Sequence, residues 1–287
     1  MQMSSESQTG NKVAMTSEVV NVQSVIRPMR GGSQAYLVEG DDGRYYVAKF
    51  ARNPQGNRTL INECIASRLF QQFGISTPPI RLLYLSRAVQ QAASLHFSMK
   101  NKKVPVSSGI HFGSQCPVDP NSMAIYDFLP RKLLANVENL EDFSKAFVLD
   151  KLLGNTDKRQ AIFVRAPSRR GKAIFRVWLI DHGLIFAGHR WELEDVPGYG
   201  LYVDRAVYGF PDTQIICDKA IEMMRMLNED QLHIAAEGIP SDWFSSGDRG
   251  ALARLFQEVQ ARAARLPVFV RRHLKILRQT PEFTACL

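Results

Sequence analysis

The amino-acid sequence predicts an α+β fold, in which strands and one helix come first and a mostly helical part follows. Short strand-like segments and a hairpin turn occupy the beginning of the chain, whereas apolar residues recur at helical spacing through most of the second half. The strand signal in that second half is one inserted hairpin. This order is typical of α+β proteins, in which strands and helices are segregated along the chain.

The composition is that of a globular protein. The 287 residues are 45% hydrophobic and 22% charged, which suffices for a substantial core. Residues 1–17 are rich in Ser, Gln, Thr and Asn and are predicted to be a mobile tail. They lack the apolar stretch of a secretory signal, and no run in the chain approaches the roughly 18 apolar residues of a membrane span. We therefore expect a cytoplasmic protein.

The cysteines predict no cross-linked framework. Cys64, Cys116, Cys217 and Cys286 form no CxxC pair, so neither a zinc site nor a disulfide framework is expected. Cys64 and Cys217 lie in apolar helical patterns and are predicted to be core thiols.

The first part of the chain contains a strong hairpin signal. Gly40-Asp41-Asp42-Gly43 separates two strand segments, and Gly74 is a suitable C-cap for the helix that follows them. A Thr77-Pro78-Pro79 break precedes the next strand. Residues 86–122 are predicted to be loop-rich, with one strand near Ile110, and to hold the connection between the two parts. The other predicted elements are strands at 35–39, 45–50 and 80–85 and a helix at 58–73.

The second part is predicted to be helical apart from its hairpin. A basic loop at 166–172 joins the hairpin strands, and residues 182–212, rich in Gly and Tyr, are expected to be irregular. Pro240 and Pro267 fall at helix boundaries, where a missing N–H is tolerated. The predicted elements are helices at 140–153, 214–227, 229–237, 248–266 and 268–278 and strands at 162–165 and 175–181.

Three polar features of the first part can contribute to binding a phosphate. Gly31-Gly32-Ser33 lets the backbone approach an anion closely, although a glycine pair is also typical of a plain turn. Lys49 ends a strand and either reaches phosphates or is an edge-strand lysine. Glu63, early in the helix, either supplies the anion that a buried lysine requires or lies on the surface.

Two acidic features of the second part indicate metal or proton chemistry. Residues 150–160 bring carboxylates, amides and cations to a helix end, a mixture that is unusual for a plain surface loop. Asp181 follows an apolar strand and precedes Gly183. A carboxylate on a rigid strand end suits a hard cation, although strand-end aspartates are also common in turns.

These features, in this order, resemble the HipA-like kinases and, more distantly, the phosphatidylinositol kinases and protein kinases. The resemblance covers roughly residues 25–230. It implies a two-lobed protein-kinase-like fold, with a small β-rich N-lobe containing one helix at 18–115 and a larger helical C-lobe at 116–287. The motifs that carry it are Gly31-Gly32-Ser33, Val47-Ala48-Lys49, Glu63, Gly113-Ser114, Asp150, Gly154-Asn155-Thr156-Asp157 and Ile180-Asp181-His182-Gly183.

The resemblance implies that the chain binds ATP and Mg²⁺. Lys49 would bind the α- and β-phosphates and pair with Glu63. Asp157 would orient or deprotonate the acceptor hydroxyl, and Asp181 would hold magnesium.

Further site residues follow from the same resemblance. Asn155 and Gln160 are the nearby amides assigned to the catalytic loop, and Gln160 is also a candidate metal ligand. Residues 110–117 would form the hinge that meets the adenine. The predicted nucleotide contacts besides Lys49 and Glu63 are Gly31, Gly32, Ser33, Phe112, Gly113 and Ser114.

Two positions depart from the family pattern. The family usually has an asparagine five residues after the catalytic aspartate as a second magnesium ligand, but this chain has Ile162, which cannot coordinate a hard cation. Either Gln160 replaces that ligand, or one metal is bound weakly, or the chain is a degenerate nucleotide binder. Arg159 stands where related loops often have histidine.

Three hypotheses for the function follow. The first is an ATP-dependent kinase that acts on a Ser or Thr hydroxyl of a protein partner, or of this chain itself. The second, motivated by Ile162, is a pseudokinase or nucleotide-dependent interaction module.

The third hypothesis, nucleic-acid binding, is suggested by the net charge of +8. It is not favoured, because the aromatic residues are not interleaved with Arg and Lys as in a stacking platform. The C-terminal cations are expected on a solvated helix face or on a docking surface for an acidic partner. They are Arg254, Arg262, Arg265, Arg271, Arg272, Lys275 and Arg278.

Overall fold

The protein is described by a computed structural model. It covers residues 19–100, 102–167, 173–196, 198–210 and 212–278. The predicted tail at 1–17 and part of the predicted basic loop, residues 168–172, lie outside the described residues. The strands are β1 (Val19–Pro28), β2 (Tyr36–Gly40), β3 (Tyr45–Lys49), β4 (Ile80–Leu85), β5 (His96–Met99), β6 (Lys102–Pro105), β7 (Gly109–Gln115), β8 (Ile125–Tyr126), β9 (Gln160–Ala166) and β10 (Ile174–Ile180). The α-helices are α1 (Asn57–Gln72), α2 (Arg87–Ala92), α3 (Asp142–Leu153), α4 (Thr213–Arg225), α5 (Glu229–Ala236), α6 (Asp248–Ala263) and α7 (Leu266–Arg278), and short 3₁₀ helices lie at Arg131–Asn136, Ile185–Arg190, Arg205–Tyr208 and Ser241–Trp243.

The first part of the chain closes into a five-stranded barrel in the order β1-β2-β3-β7-β4. The barrel strands pair antiparallel except β1 and β4, which pair in parallel and close it. A cluster of buried apolar side chains joins the barrel to the β5–β6 hairpin. The mixture of this barrel with a largely helical second part confirms the predicted α+β class.

The β2–β3 hairpin places Lys49 at the end of an interior strand. The predicted turn at 40–43 joins the two strands. β3 pairs with β2 on one side and with β7 on the other, where Lys49 lies opposite Phe112. Lys49 is therefore not an edge-strand lysine.

Helix α1 connects the barrel to the helical part. It is buried around most of its circumference, as expected of a helix inside a core. Near its C-terminal end, Arg68 donates from Nη1 to the carbonyl of Ala235 in α5, at 2.9 Å. In addition, the buried apolar side chains of α1 belong to one cluster that continues into α3 and the later helices.

Helix α3 and the β9–β10 hairpin form the centre of the helical part. α3 ends at Gly154, a left-handed C-cap with φ of 60°. β9 and β10 pair antiparallel, and the short β8 extends their sheet. The loop between α3 and β9 therefore emerges beside the turn that follows β10.

The helix predictions are confirmed, with ends that differ by at most three residues from those of α1 and α3–α7. The described residues of the range 182–212, which leave out 197 and 211, are irregular apart from two 3₁₀ helices, also as predicted. Cys64 and Cys217 are buried core thiols. None of the helices in the described ranges is long and apolar enough to cross a membrane.

The sequence analysis underestimated the regular structure of the first part. The predicted strand near Ile110 is confirmed as β7, but residues 86–122 also contain α2 and the strands β5 and β6, so they are less loop-rich than predicted. The long strand β1 was not predicted, and two register shifts against β2 explain this, since each shift interrupts the alternation that identifies a strand.

The predicted hinge at 110–117 also requires correction. Residues 110–115 lie in β7, which is bonded to β3 on one side and β4 on the other. Phe112, Gly113 and Ser114 pair with both neighbouring strands, so their backbone groups are used within the barrel, whereas Ile110 and His111 pair with β4 alone. The N–H of Cys116 donates to Tyr45 O at 2.8 Å. The backbone of residues 112–114 is therefore not available to an adenine.

One member of the predicted basic helix face is not on a surface. The Arg262 side chain is 9% exposed, and its guanidinium donates to the carbonyls of Lys151 and Glu194 at 2.9 and 3.1 Å. This arginine therefore links α6 to α3, and its guanidinium is used for hydrogen bonds within the protein.

The barrel has no room for a side chain at Gly113, and replacing this glycine tests the packing between β7 and β4. A Cβ atom there would come within 2.6 Å of Leu83 Cγ. We expect Gly113→Ala to lower the free energy of unfolding by about 1–3 kcal/mol, the usual cost of overpacking. The matched control is Gly250→Ala in α6, where the nearest atom would be 3.7 Å away. This control should raise stability by about 0.5–1 kcal/mol. Equal urea-unfolding midpoints for the two variants would contradict the packing.

Candidate active site

The centre of the candidate site is the ammonium group of Lys49, which contacts two carboxylates. Lys49 Nζ donates to Glu63 Oε1 and to Asp181 Oδ1, the latter at 2.8 Å. The side chains of Lys49 and Glu63 are 11% and 3% exposed, whereas that of Asp181 is 37% exposed. The cluster is therefore buried on the Glu63 side and open to solvent on the Asp181 side.

Three different elements supply these groups. Lys49 ends β3, Glu63 lies in the second turn of α1, and Asp181 directly follows β10. Asp181 adopts φ of 58°, a left-handed conformation that is unfavourable for a residue with a side chain. Two residues later, a Cβ on Gly183 would lie 3.2 Å from Glu63 Oε1, so glycine permits α1 to approach this turn.

The charges of Lys49 and Asp181 stabilise each other, whereas burial raises the pKa of Glu63 despite its contact with Lys49. Burial raises the pKa of Asp181, but the charge of Lys49 and its hydrogen bond outweigh burial and lower the pKa to about 2. Burial lowers the pKa of Lys49, but the carboxylates of Glu63 and Asp181 outweigh it and raise the pKa above its usual value. Lys49 and Asp181 are therefore both charged at neutral pH.

Gln160 connects Asp181 to the other predicted catalytic carboxylate. Its Nε2 donates to Asp157 Oδ2 at 3.3 Å and to Asp181 Oδ2 at 3.1 Å. Ile162 lies two residues farther along β9, opposite Trp178. Because a strand advances about 3.3 Å per residue, Gln160 is the β9 residue next to both carboxylates and Ile162 is farther away.

Asn155 braces the loop from behind. It is 5% exposed, its Nδ2 donates to Asp150 Oδ1 at 3.0 Å, and its Oδ1 accepts from the Asp157 N–H at 3.0 Å. Both ends of its amide are therefore used within the protein. The geometry suits a residue that positions Asp157.

The other predicted nucleotide contacts belong to the barrel. Gly31-Gly32-Ser33 lies between β1 and β2, and the next residue, Gln34, bonds both the N–H and the C=O of Ser98. Phe112 and Gly113 are opposite Lys49 and Ala48, and Ser114 is opposite Val47. Contact of these residues with a nucleotide stays a prediction, and for the three β7 residues it cannot use backbone hydrogen bonds.

Asn62 was missed by the sequence analysis, yet it organises the segment after Asp181. It is fully buried, and its Nδ2 lies 2.9–3.0 Å from the carbonyls of Gly183, Ile185 and Gly188. Its Oδ1 accepts from Trp191 Nε1 at 2.8 Å. An asparagine inside a helix is unfavourable unless its amide has such partners. The presence of Asn62 in the middle of an apolar helix was therefore the sequence signal that could have identified its role.

The supporting role of Arg159, which the sequence showed only as a departure from the family pattern, was also missed. Arg159 and Asp150 form an ion pair with both side chains 0% exposed. Arg159 also donates from Nη1 to Nδ1 of His182 at 2.9 Å, so the other ring nitrogen carries the proton and donates to Thr77 Oγ1 at 2.9 Å. Burial and then the charge of Arg159 lower the pKa of His182 well below its usual value, which keeps the ring neutral.

The donor set fits a divalent cation that arrives with a nucleotide. Two carboxylates contact the Lys49 ammonium group, and Gln160 connects one of them, that of Asp181, to the carboxylate of Asp157, so several oxygen ligands lie close together. Over the described residues, however, no group of three or more His, Cys, Asp and Glu side chains could hold a metal. Magnesium is commonly bound by one or two carboxylates together with nucleotide phosphates. Asp181, with Gln160 beside it, is suited to that arrangement, and metal binding by these two residues stays a prediction.

The lowered pKa of Asp181 predicts a pH-dependent contribution to stability. Because the pKa is about 2 in the folded protein and about 4 in the unfolded chain, the contribution is complete above about pH 4. It is lost as the pH falls toward about 2. We expect Asp181→Asn to be less stable than the wild type at about pH 7 and the difference to shrink between about pH 4 and 3. Urea unfolding at these pH values measures it, and a pH-independent difference would contradict the assignment.

Comparison with solved structures finds a Golgi casein kinase with Mn and ADP bound, at 11% identity and a TM-score of 0.47 over 90% of this chain and 75% of that chain. A second structure of Golgi casein kinase has 12% identity and a TM-score of 0.46, covering 86% and 72% of the two chains. No curated protein matches the chain. The sequence model described as HipA-like kinase matches residues 22–266, nearly the whole described length. The chain therefore belongs to the HipA-like kinase family and is a kinase-type phosphotransferase.

Proposed function

We propose that this protein transfers the γ-phosphoryl group of magnesium-bound ATP to a Ser or Thr hydroxyl of a protein. The observation that carries the proposal is the meeting of Lys49, Glu63 and Asp181 at hydrogen-bonding distance, although they lie on β3, on α1 and after β10. Phosphoryl transfer depends on positioning and charge neutralisation. A fixed ammonium group beside an open carboxylate supplies both.

Each residue of this cluster has a distinct role in the proposal. Lys49, fixed by Glu63, binds the α- and β-phosphates. Asp181 directs its exposed carboxylate into the cleft and holds the metal. A bound magnesium ion supplies neutralisation of charge on the phosphate oxygens. Glu63 Oε2 accepts from the His182 N–H at 3.1 Å, so the same glutamate orients both the lysine and the Asp181 turn.

Asp157 is proposed to receive the proton of the acceptor hydroxyl or to orient that hydroxyl. Its backbone N–H is bonded by Asn155, and its carboxylate is bonded by the Lys158 N–H at 2.7 Å and by Gln160. These bonds fix the direction of the carboxylate. Gln160, which already contacts both aspartates, takes the place of the missing asparagine when its amide oxygen turns toward the metal.

A protein acceptor is supported by the surface beside Asp157. The N–H of Gly200 donates to Asp157 O at 2.8 Å, so residues 199–203 run alongside the catalytic loop. Two apolar side chains of this segment, Tyr199 and Val203, are 37% and 59% exposed. Exposed apolar groups beside a catalytic carboxylate suit contacts with a polypeptide.

We propose that the smaller lobe ends at Gln115, the last residue of the barrel, with the nucleotide bound between the barrel and the β9–β10 side.

The nucleic-acid alternative is weakened because some of the basic side chains are buried and bonded inside the protein. Arg159 is fully buried in an ion pair, and Arg262 is 9% exposed and bonded to carbonyls.

The pseudokinase alternative rests on Ile162, and replacement of Asp157 separates it from catalysis. We expect Asp157→Asn to lower the rate of phosphate transfer about 100- to 10,000-fold, because a general base is lost. Binding of magnesium-ATP should change little. Radiolabelled ATP, with self-phosphorylation and ATP hydrolysis as readouts, measures the rate, and calorimetry measures the binding.

The control for this experiment is Asp230→Asn, which removes an exposed carboxylate from α5. It should behave as the wild type. Tight binding of magnesium-ATP by a wild-type protein that transfers no phosphate would favour the interaction module, and a fully active Asp157→Asn would contradict the role of that residue.

Gln160 is expected to control the metal requirement. Gln160→Leu removes the amide between the aspartates and should raise the Mg²⁺ concentration for half-maximal nucleotide binding by about 10-fold or more. Gln160→Glu keeps an oxygen ligand and should preserve or strengthen metal binding. Titration of Mg²⁺ at fixed ATP distinguishes the variants, and identical metal requirements would show that another group fills this place.

A further inference from the structure

We propose that Arg159 is a positioning residue, which holds the backbone turn at Asp181 and thereby directs the Asp181 carboxylate. The inference rests on the proposed role of Asp181 as a metal ligand. It assigns a task to a residue that stands where related loops often have histidine, and that does not itself reach the nucleotide site.

One end of the guanidinium is anchored inside the helical part. Arg159 Nε donates to Asp150 Oδ2 at 2.8 Å, and Nη2 donates to Asp150 Oδ1. Asn155 donates to the same Oδ1, and a Cβ on Gly200 would lie 2.7 Å from Asp150 Cβ. Asp150 is thus fixed by bonds and by close packing, and its fork-shaped contact with Arg159 fixes the guanidinium plane.

The third nitrogen of the guanidinium, Nη1, does not contact Asp150 and faces the Asp181 turn. Arg159 Nη1 donates to Ile180 O at 3.0 Å and to Nδ1 of His182 at 2.9 Å, and it lies 3.4 Å from Asp181 O. The three contacts flank a residue with φ of 58°. These contacts support that left-handed conformation, which is less favourable than the right-handed one for a residue with a side chain.

The orientation of Asp181 matters because its two oxygens have different tasks. Oδ1 accepts from Lys49 and Oδ2 accepts from Gln160. A relaxed backbone at Asp181 would move both oxygens away from these partners. Because a displacement of about 1 Å can cost about 100-fold in an active site, control of this turn is control of the metal position.

Lysine cannot replace arginine in this geometry. The guanidinium forms a planar, two-pronged contact with Asp150 and still directs a third nitrogen toward the turn, whereas lysine has one nitrogen. A lysine would therefore preserve the charge beside Asp150 and lose the contacts to the turn. This difference separates positioning from a simple counter-ion role.

The test measures binding of Mn²⁺ in the presence of ADP by electron paramagnetic resonance, so that it needs no acceptor and no turnover. We expect Arg159→Lys to raise the Mn²⁺ concentration for half-saturation by about 10-fold or more, the usual effect of losing a group that supports a metal ligand. Thermal unfolding with and without Mn²⁺-ADP gives an independent readout, and the stabilising shift should shrink in the variant.

A second variant keeps the test decisive where lysine alone perturbs folding. Arg159→Met combined with Asp150→Asn removes both buried charges, so no charge is left unpaired. This variant should regain thermal stability relative to Arg159→Met alone but keep the weakened Mn²⁺ binding. The matched control is Arg131→Lys, which makes the same change in a forked ion pair with Asp204. It should leave Mn²⁺ binding unchanged.

The outcomes separate this inference from the proposed function. If the wild type binds Mn²⁺ only weakly whether or not ADP is present, both are overturned. If the wild type shows an ADP-dependent Mn²⁺ site and both Arg159 variants keep it within about twofold, only the role of Arg159 is overturned. Weakened binding in both variants, with an unaffected Arg131→Lys, supports it.

Discussion

A buried ammonium group shared by two carboxylates is the interaction on which the rest of the structure depends. Lys49 and Glu63 are almost completely removed from water, and an unpaired charge in that environment is strongly unfavourable. The two charges can pair only when β3 and α1 are packed together. Asp181 then requires that the β9–β10 hairpin lie against both. The ion cluster therefore demands one arrangement of three elements, and the cleft chemistry follows from that arrangement.

The same cluster determines where the site opens. Glu63 is enclosed, and its second oxygen accepts from the backbone of His182, whereas Asp181 remains partly exposed. Negative charge is thus presented at the solvent side and positive charge behind it. A ligand that brings both a cation and an anion, such as a metal nucleotide, complements this polarity better than a free anion does.

Much of the fold and the central site residues could be predicted from the sequence, because their signals are local. Apolar periodicity identified α3 and the later helices, and the hairpin turn at 40–43 identified β2 and β3. Lys49 and Asp181 each end a strand, a position that can be read from a few neighbouring residues. The family resemblance supplied their expected proximity. β1 escaped because its bulges interrupt the alternation over which a strand is recognised.

The residues whose roles were missed share a different physical character. Asn62 and Arg159 are polar and buried, and most of their partners lie far away in sequence. Asn62 donates to backbone carbonyls 121 to 126 residues away, and Arg159 bonds the side chains of Asp150 and His182 as well as the Ile180 carbonyl, 21 residues away. Because every residue has a backbone carbonyl, the sequence does not show which carbonyl accepts such a bond. Both also serve the irregular segment 180–191, where the backbone leaves regular structure and its polar groups need side-chain partners. The turn at Asp181, with its left-handed residue, is supported by side chains that are distant in sequence. The sequence therefore reveals the strand-end acid of the candidate site more readily than the groups that hold it in place.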